Sequence, residues 1–502
     1  MKSLKFLAAT ALAVGGLVQE ASAQTHVYIT GSTAFRSAAI NAITAAVNLT
    51  GSAKLVTNGG TGNDSTYTNA NYPNTQFSGT VTQQTSFIWE GGYIGSGASS
   101  QPITVHATFT GSETGICTCL GKEPIPFLTA GSTGTANPSA YLDGQSALPN
   151  LTTTSYTDEN SNSRTGFYST SVLVIPDFTF SDVFQATTPF QSGSTLSLGT
   201  PFNSGASKYP GATASPTYPT GNDNQVGFVT FKWVASKNFP LRGGSTNVSE
   251  TPFTGSYTVS NVNVEPNALN ALFTGGSIPL SQLTGLTTDQ EVQIFATGRN
   301  PDSGTRATAL ADTGIGVTTL VYQYQPQVAN STSTAVIQQA PYPTETIAGI
   351  TTTQPGNSGE GTGGVLRGYM GFTLPASGLT DEGAHVTAAY YLTYLGTADA
   401  GKIAGTGVEL SYKGVPFSLQ AIYQGQYTFW SIEHIYDRGD LTSPKSTVEG
   451  AIITNLENTT TANLSNAGIS NLDIYDPLNS QFGPFVSSRS TDGGLISVQF
   501  TQ

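Results

Sequence analysis

Residues 27–47 read VYITGSTAFRSAAINAITAAV, and the order of chemistry in this stretch decides the fold class. Val27-Tyr28-Ile29 is β-branched and aromatic, the composition of a strand. Thr30-Gly31-Ser32-Thr33 follows as a tight turn of small residues. Between Phe35 and Val47 the apolar residues Ala38, Ala39, Ile40, Ile43, Ala46 and Val47 recur at three- and four-residue intervals, the spacing of one helix face. Strand, glycine turn and amphipathic helix in succession make the repeating unit of an α/β protein.

The pattern returns downstream. ITVHATF (103–109) alternates like a strand and ends at Thr110-Gly111-Ser112. Val172 to Ile175 is a short apolar strand, followed by Phe180-Ser181-Asp182. VGFVTFKWV (226–234) reads as a buried strand, and PNALNALFT (266–274) as a helix that stops at Gly275-Gly276. Gln293 to Phe295 leads into GRNPDSGT (298–305), after which RATALA (306–311) is helical. Ala388 to Leu395 is apolar and aromatic, Gly407 to Phe417 reads as a hairpin, and YTFWSIEHIY (427–436) as a helix. The aromatic pairs Tyr390-Tyr391 and Phe429-Trp430 are assigned to the core. Stretches near 51–100, 121–170 and 190–222 are polar and read as long insertions, more than a compact domain needs.

Composition narrows the function. The chain has 502 residues, enough for two to four domains at about 100–200 each. Charged residues are 10% and the net charge is −13, so the basic footprint of a nucleic-acid binder is missing. No apolar run in the body approaches the ~20 residues of a membrane helix. The 24 Phe and 22 Tyr supply core material that a disordered chain lacks. Met1 to Ala23 has Lys2 and Lys5, an apolar stretch from Phe6 to Val18, and Ala21-Ser22-Ala23, the pattern of a cleavable signal peptide. The mature chain is then expected to begin at Gln24, periplasmic or extracellular. No Cys stands at the cleavage point to carry a lipid anchor. Losing two lysines and one glutamate would take the charge to −14. Cys117 and Cys119, in a C-x-C spacing, are expected as a local staple or two free thiols. His26, His106, His385 and His434 are scattered without metal-ligand spacing, so no metal and no cofactor is expected. Enzyme activity is not expected, because no Ser nucleophile has an elbow motif or a neighbouring His; GNSGE (356–360) reads as a loop.

Three turns share one chemical character: TGST (30–33), TGS (110–112) and DSGT (302–305) each follow a strand and combine hydroxyls with glycine. The first and third also open helices, whose N-termini expose unpaired N–H groups and the positive end of the dipole. This is the equipment of an anion site. Arg299, four residues before Ser303, adds a planar fork. Asp182 is the odd member, since a carboxylate repels an anion unless the anion carries a proton to donate. Monohydrogen phosphate does so; sulfate near neutral pH does not.

In this order the motifs resemble the phosphate-binding subunit of phosphate-specific ABC importers, a type II periplasmic binding protein. VYITGSTAFRSAA (27–39) is similar to the family's opening strand, loop and helix, and TFTGSETGI (108–116) to its GSG-x-G-I turn. PDFTFSDV (176–183) is similar to its G-S-D segment, and RNPDSGTRATA (299–309) to its R-x-x-x-S-G-T helix start, the most specific of the set. NALNALFTGGSIPLSQLTG (267–285), AAYYLTYLG (388–396) and GQYTFWSIEHIY (425–436) resemble later segments, with Leu280 where the family has Trp. The resemblance runs from about 27 to 440, interrupted by the insertions.

It implies a two-lobed α/β fold with a hinge: residues 24–225 and 396–502 in lobe I, 226–395 in lobe II. It also implies inorganic phosphate held by Ser32, Thr33, Ala34, Ser112, Asp182, Arg299, Ser303, Gly304 and Thr305, in a monomer that serves an ABC-type permease. The sequence departs from the family at three points. Ala34 replaces a Thr. Pro301 stands where the acidic partner of the arginine is usual, with Asp302 one residue later. Glu113 follows Ser112 where a small residue is usual, and would repel an anion if it faced the cleft charged. The alternative is a secreted structural or adhesive protein that reuses the fold without tight anion binding.

Overall fold

The computed structural model describes residues 25–47, 54–57, 86–94, 101–122, 125–127, 154–157, 163–166, 173–194, 217–241, 245–249, 256–328, 336–342, 346–347, 350–351, 355–375, 386–403, 406–457, 469–470 and 485–500. The expected signal peptide and most of the three insertions lie outside these residues.

The opening unit forms as its pattern requires: β1 (Thr25–Gly31), a turn, then α1 (Arg36–Ala46). Two strands, β2 (Lys54–Thr57) and β3 (Ser86–Ile94), lead to β4 (Gln101–Thr108) and α2 (Ser112–Leu120). The short β5 (Phe178–Ser181) precedes the long β6 (Asn222–Ser236). A second set follows: β7 (Ser245–Ser249), β8 (Ser256–Val264), α3 (Pro266–Gly275), β9 (Ser277–Pro279), β10 (Val292–Ala296) and α4 (Gly304–Asp312). The chain then runs through α5 (Gly363–Tyr369), β11 (Ala388–Gly396), β12 (Gly407–Tyr412), β13 (Trp430–Asp437) and α6 (Lys445–Glu457). It ends, among the described residues, in a hairpin of β14 (Phe485–Ser488) and β15 (Ser497–Phe500).

Two groups of strands share β6. The first runs β2-β3-β4-β1-β5-β13-β6, with β1 parallel to both β4 and β5 and β13 antiparallel to its neighbours. In the second, β6 pairs with β11 and with β12, β11 continues to β10 and β9, and β12 continues to β8 and β7. The changeover lies within β6: Asn222 to Thr230 pair with β13, whereas Phe231 to Ala235 pair with β11. A mixed α/β fold of two lobes joined through a continuous strand results. No helix among the described residues is long and apolar enough to cross a membrane.

Apolar alternation fills both lobes. In the first, Val27, Ile29, Val105, Phe178, Phe180 and Ile435 are fully buried. In the second, Trp233 meets Tyr394 edge-on at 5.6 Å, and its other contact, a stack at 5.1 Å, is on Phe429 just before β13. Tyr391, Phe429 and Trp430 are buried as expected, while Tyr390 is partly buried.

Two local expectations are corrected, and one that left two outcomes open is decided. Residues 427–436 are not a helix: Trp430–Asp437 is a central strand between β5 and β6, buried at every position. A strand covered on both faces shows no period-two alternation, so pattern alone cannot separate it from a buried helix. The hairpin over 407–417 reduces to β12 and a single bridge, Tyr412 to Val415, around Lys413 and Gly414, both with positive φ. Cys117 and Cys119 are buried within α2 and form no disulfide, since residues two apart on a helix point to different sides; of the two alternatives, the thiols stand and the staple does not.

Candidate functional site

Two helix N-termini converge between the lobes. α2 starts after Gly111, whose φ of +108° and whose missing Cβ let it pass Asp302; a Cβ there would lie 2.4 Å from the Asp302 carbonyl oxygen. The Glu113 N–H donates to that same carbonyl at 3.1 Å, and Thr114 Oγ1 donates to Asp302 Oδ2 at 3.3 Å. α4 starts opposite, with Ser303 as its cap: Ser303 Oγ accepts the Arg306 N–H at 3.4 Å.

Asp182, just beyond β5, enters between these two starts. Its Oδ1 accepts the Ser112 hydroxyl and its Oδ2 accepts the Thr305 hydroxyl at 3.3 Å. Its own N–H donates to Ser112 Oγ at 3.2 Å. Glycine at 304 makes room for this carboxylate: a Cβ would lie 1.9 Å from Asp182 Oδ1 and would displace it. The carboxylate therefore stands where two helix dipoles favour negative charge. Burial nevertheless pushes the Asp182 pKa above the carboxylate range, with the Ser112 hydrogen bond and the Arg299 charge opposing.

Burial likewise raises Glu113 well above its usual value, with Arg306 opposing and Asp302 and Asp182 adding to the rise. Glu433, on β13, has no hydrogen-bond partner on either carboxylate oxygen among the described residues; burial, then the Asp182 charge, raises it too. A carboxyl shifted in this direction carries less negative charge at a given pH, which weakens the objection that Glu113 raised.

Arg299 approaches from the second lobe and is 2% exposed. Its Nε donates to the Glu360 carbonyl at 2.8 Å, and its Nη2 donates to the Gly361 carbonyl at 2.7 Å and to Thr33 Oγ1 of the first lobe at 3.0 Å. Among the described residues, no carboxylate lies within 4 Å of its guanidinium. Asp302 turns to Thr114 instead, so the structure does not pair it with Arg299. The seat of the arginine is the loop 357–361. Its Asn357 takes the Arg306 guanidinium at 2.7 Å, and its Glu360 carboxylate accepts the hydroxyls of Tyr342, at 3.1 Å, and Tyr369.

A cavity of about 30 Å³ lies beside Arg299, lined among others by Thr33, Ala34, Thr305, Tyr394 and Asp399. That is room for about two waters, so a larger ligand enters only as the lobes separate. Its charged lining residues are Arg299 and Asp399, and three further cations stand around Asp399. Arg367 pairs with Asp399 at 3.0 Å. Buried Arg36 has its pKa lowered to about 10, chiefly by burial, with Asp399 opposing and Arg299 adding. Burial lowers Lys402 in the same neighbourhood, with Asp399 opposing.

The structure thus brings Ser112, Asp182, Gly304 and Thr305 into one contact and sets Thr33, Ala34 and Arg299 on the adjoining cavity. Ser32 and Ser303 do different work. Ser32 is fully buried and its Oγ accepts the Phe35 N–H at 3.2 Å, closing the first turn. Ser303 is occupied as a helix cap. Sequence reasoning missed Tyr394, Asp399 and the 357–361 loop. The only signal of that loop was the glycine density of GNSGEGTGG (356–364), which permits close backbone approach. Among the described residues no group of three or more His, Cys, Asp or Glu is placed to hold a metal ion.

No protein-family model matches the chain, and no curated protein matches it. Solved structures similar to it include PstS from Borrelia burgdorferi, 10% identical over 89% of this chain and 99% of that one, with a TM-score of 0.32. A phosphate binding protein from Stenotrophomonas maltophilia is 14% identical over 69% of this chain and 75% of that one, at 0.29. An ABC-type phosphate transport receptor from Vibrio cholerae is 11% identical over 56% and 74%, at 0.28. The chain itself is a two-lobed α/β fold in which two helix starts and a buried arginine face one another across the cleft.

Proposed function

We propose that this chain is a solute-binding protein that captures an inorganic oxyanion, monohydrogen phosphate, between its lobes and delivers it to an ABC-type permease. The observation that carries the reading is Arg299: a buried guanidinium held by neutral carbonyls, aimed at the cavity, without a carboxylate at ion-pair distance among the described residues. A buried charge without a counter-charge is costly, and an oxyanion would supply one with fork geometry. Ser112, Thr305, Thr33 and the N–H groups of the two helix starts would donate to its oxygens, with Ala34 and Gly304 leaving space and Ser32 and Ser303 holding the turns. The P–OH proton would go to Asp182, whose carboxylate now receives the Ser112 and Thr305 hydroxyls in the ligand's place. The proposal contains no catalytic step. It includes export through the segment 1–23 and the lobe assignment 24–225 and 396–502 against 226–395, with the strand Gly407–Tyr412 added to the second group.

One observation favours the second reading, a secreted structural protein. Asp182 already fills the position between the helix starts, so the cleft is satisfied without a ligand. Calorimetric titration of residues 24–502, stripped of anion, with phosphate and then sulfate separates the two. Micromolar or tighter phosphate binding, lost in Arg299→Ala with the circular-dichroism spectrum kept, supports capture. No heat with either anion supports the structural reading, and full affinity in Arg299→Ala removes that residue from the site.

A further inference from the structure

The hairpin of residues 485–500 lies beyond every segment that the candidate site uses, yet it touches both lobes. Arg489 is buried. It donates from Nη1 to the Trp430 carbonyl at 2.8 Å and from Nη2 to the Thr428 carbonyl at 2.5 Å, and lies 4.2 Å over the Trp430 ring. The same Nη2 is 3.9 Å from Asp312, the last residue of α4 in the second lobe. Three residues on, Asp492 is also buried and faces the first lobe. Its Oδ2 accepts the Phe184 N–H at 2.8 Å and its Oδ1 accepts the Ser431 hydroxyl at 2.5 Å. Phe184 is two residues beyond Asp182 on the same loop. Gly493 seals the contact: its φ is +64°, and a Cβ there would lie 2.4 Å from the Ala311 carbonyl of α4.

We propose that residues 485–500 are a strap that holds α4 of the second lobe and the 182–184 loop of the first lobe together, with Arg489 and Asp492 as its positioning residues. The strap fixes the two elements that carry Thr305 and Asp182, so the cleft opens only when it detaches. Surface hairpins seldom bury a charged pair of residues three apart, because each charge must find partners to offset its desolvation. Here the partners are Asp312 of α4, Phe184 of the 182–184 loop, and Thr428, Trp430 and Ser431 on β13 and its approach. The kinetic half of the proposal, slow exchange of the bound anion, rests on the anion-site reading; the mechanical half does not.

The first test uses the unaltered chain without added anion and follows hydrogen exchange. The Glu113 N–H reports the contact between lobes, since it bonds to Asp302 of α4's approach, and the Phe184 N–H reports the strap. A strap that gates opening makes the two amides exchange together, with equal protection. Exchange at Glu113 at least tenfold faster than at Phe184 means that the lobes part under an attached strap, which overturns the proposal. The second test is Asp492→Asn together with Arg489→Gln, each in the full chain. A spin-label pair at Ala45→Cys and Ala271→Cys, on exposed helix positions of the two lobes, reads lobe separation. Loss of the strap should add a longer-distance population at an unchanged circular-dichroism spectrum and speed phosphate release about tenfold. An unchanged distance distribution in a folded variant overturns the strap. If the wild chain binds no phosphate, the anion-site reading falls, while the exchange and distance measurements still decide the strap.

Discussion

Gly304→Ala puts the contact between the lobes under direct test. The added Cβ would sit 1.9 Å from Asp182 Oδ1, 2.8 Å from its Cγ and 2.7 Å from Ser112 Oγ, so the carboxylate must retreat by more than an ångström. That retreat breaks the bonds from Ser112 and Thr305. Hydrogen bonds to a charged group contribute about 1.5–3 kcal/mol each, and replacing glycine by alanine in a helix returns up to about 1 kcal/mol. The closed arrangement should therefore lose about 2–5 kcal/mol. In the phosphate complex those two hydroxyls would donate to the ligand instead, so the loss falls on the unliganded closed state, and its smallest figure corresponds to about thirtyfold in the closed-to-open equilibrium at 1.4 kcal/mol per tenfold. The assay is thermal unfolding of anion-free Gly304→Ala beside Gly275→Ala, a control at the end of α3 where a Cβ meets nothing within 4 Å. A midpoint for Gly304→Ala equal to that of the wild chain and of the control would refute the view that this contact closes the cleft.

Three further outcomes are expected. Asp182 has a raised pKa, so above it the carboxylate excludes sulfate and below it the protonated carboxyl can donate to sulfate. Sulfate competition should accordingly grow as pH falls, and Asp182→Asn should bind sulfate at every pH; a wild chain whose sulfate response ignores pH removes this role. Glu449 on α6 is raised from 4.5 to about 8, mainly by burial and then by Asp437. Because the folded state holds that proton more tightly, stability should decline as pH rises from 4.5 to about 8. Glu449→Gln should flatten the decline in denaturant midpoints, and an identical profile would show that the group is not responsible. Lys232 on β6 is bound at 3.0 Å by Glu409 of β12, both buried, so Glu409→Gln removes the negative charge of a buried ion pair. A loss of about 3–5 kcal/mol is expected in chemical denaturation, and a loss under 1 kcal/mol would mean that water reaches the lysine.

The parts of the fold that were legible in the sequence are those whose signal is local. Residues 27–47 and 266–275 formed the elements their spacing predicts, because a helix face and a glycine stop are both written within a few residues. Residues 430–437 were misread because every position is covered, one face by each side of the sheet, and the covering layers come from distant segments. The site divides the same way. Arg299, Asp182 and Thr305 carry side-chain chemistry and could be nominated. The seat of Arg299 is made of the Glu360 and Gly361 carbonyls, and backbone oxygens leave no mark on a residue's identity. The occupation of Ser32 and Ser303 as turn and helix caps shows the converse: a hydroxyl in the right motif can be held by its own backbone.

The placement of β13 constrains how this molecule can be assembled over time. β5 finds one of its two neighbours only when His434 to Asp437 arrive, and the first half of β6 has the same dependence. An N-terminal half emerging from a ribosome or a translocation pore would expose Phe178, Phe180 and Val229 along an open strand edge with nothing to cover it. Such contacts between remote segments slow folding, since the intervening chain must be closed before pairing can stabilise it. The first lobe is early in sequence but late to complete, so productive folding must wait for nearly the whole polypeptide. A chain held unfolded until release would avoid the aggregation to which a half-built sheet is exposed.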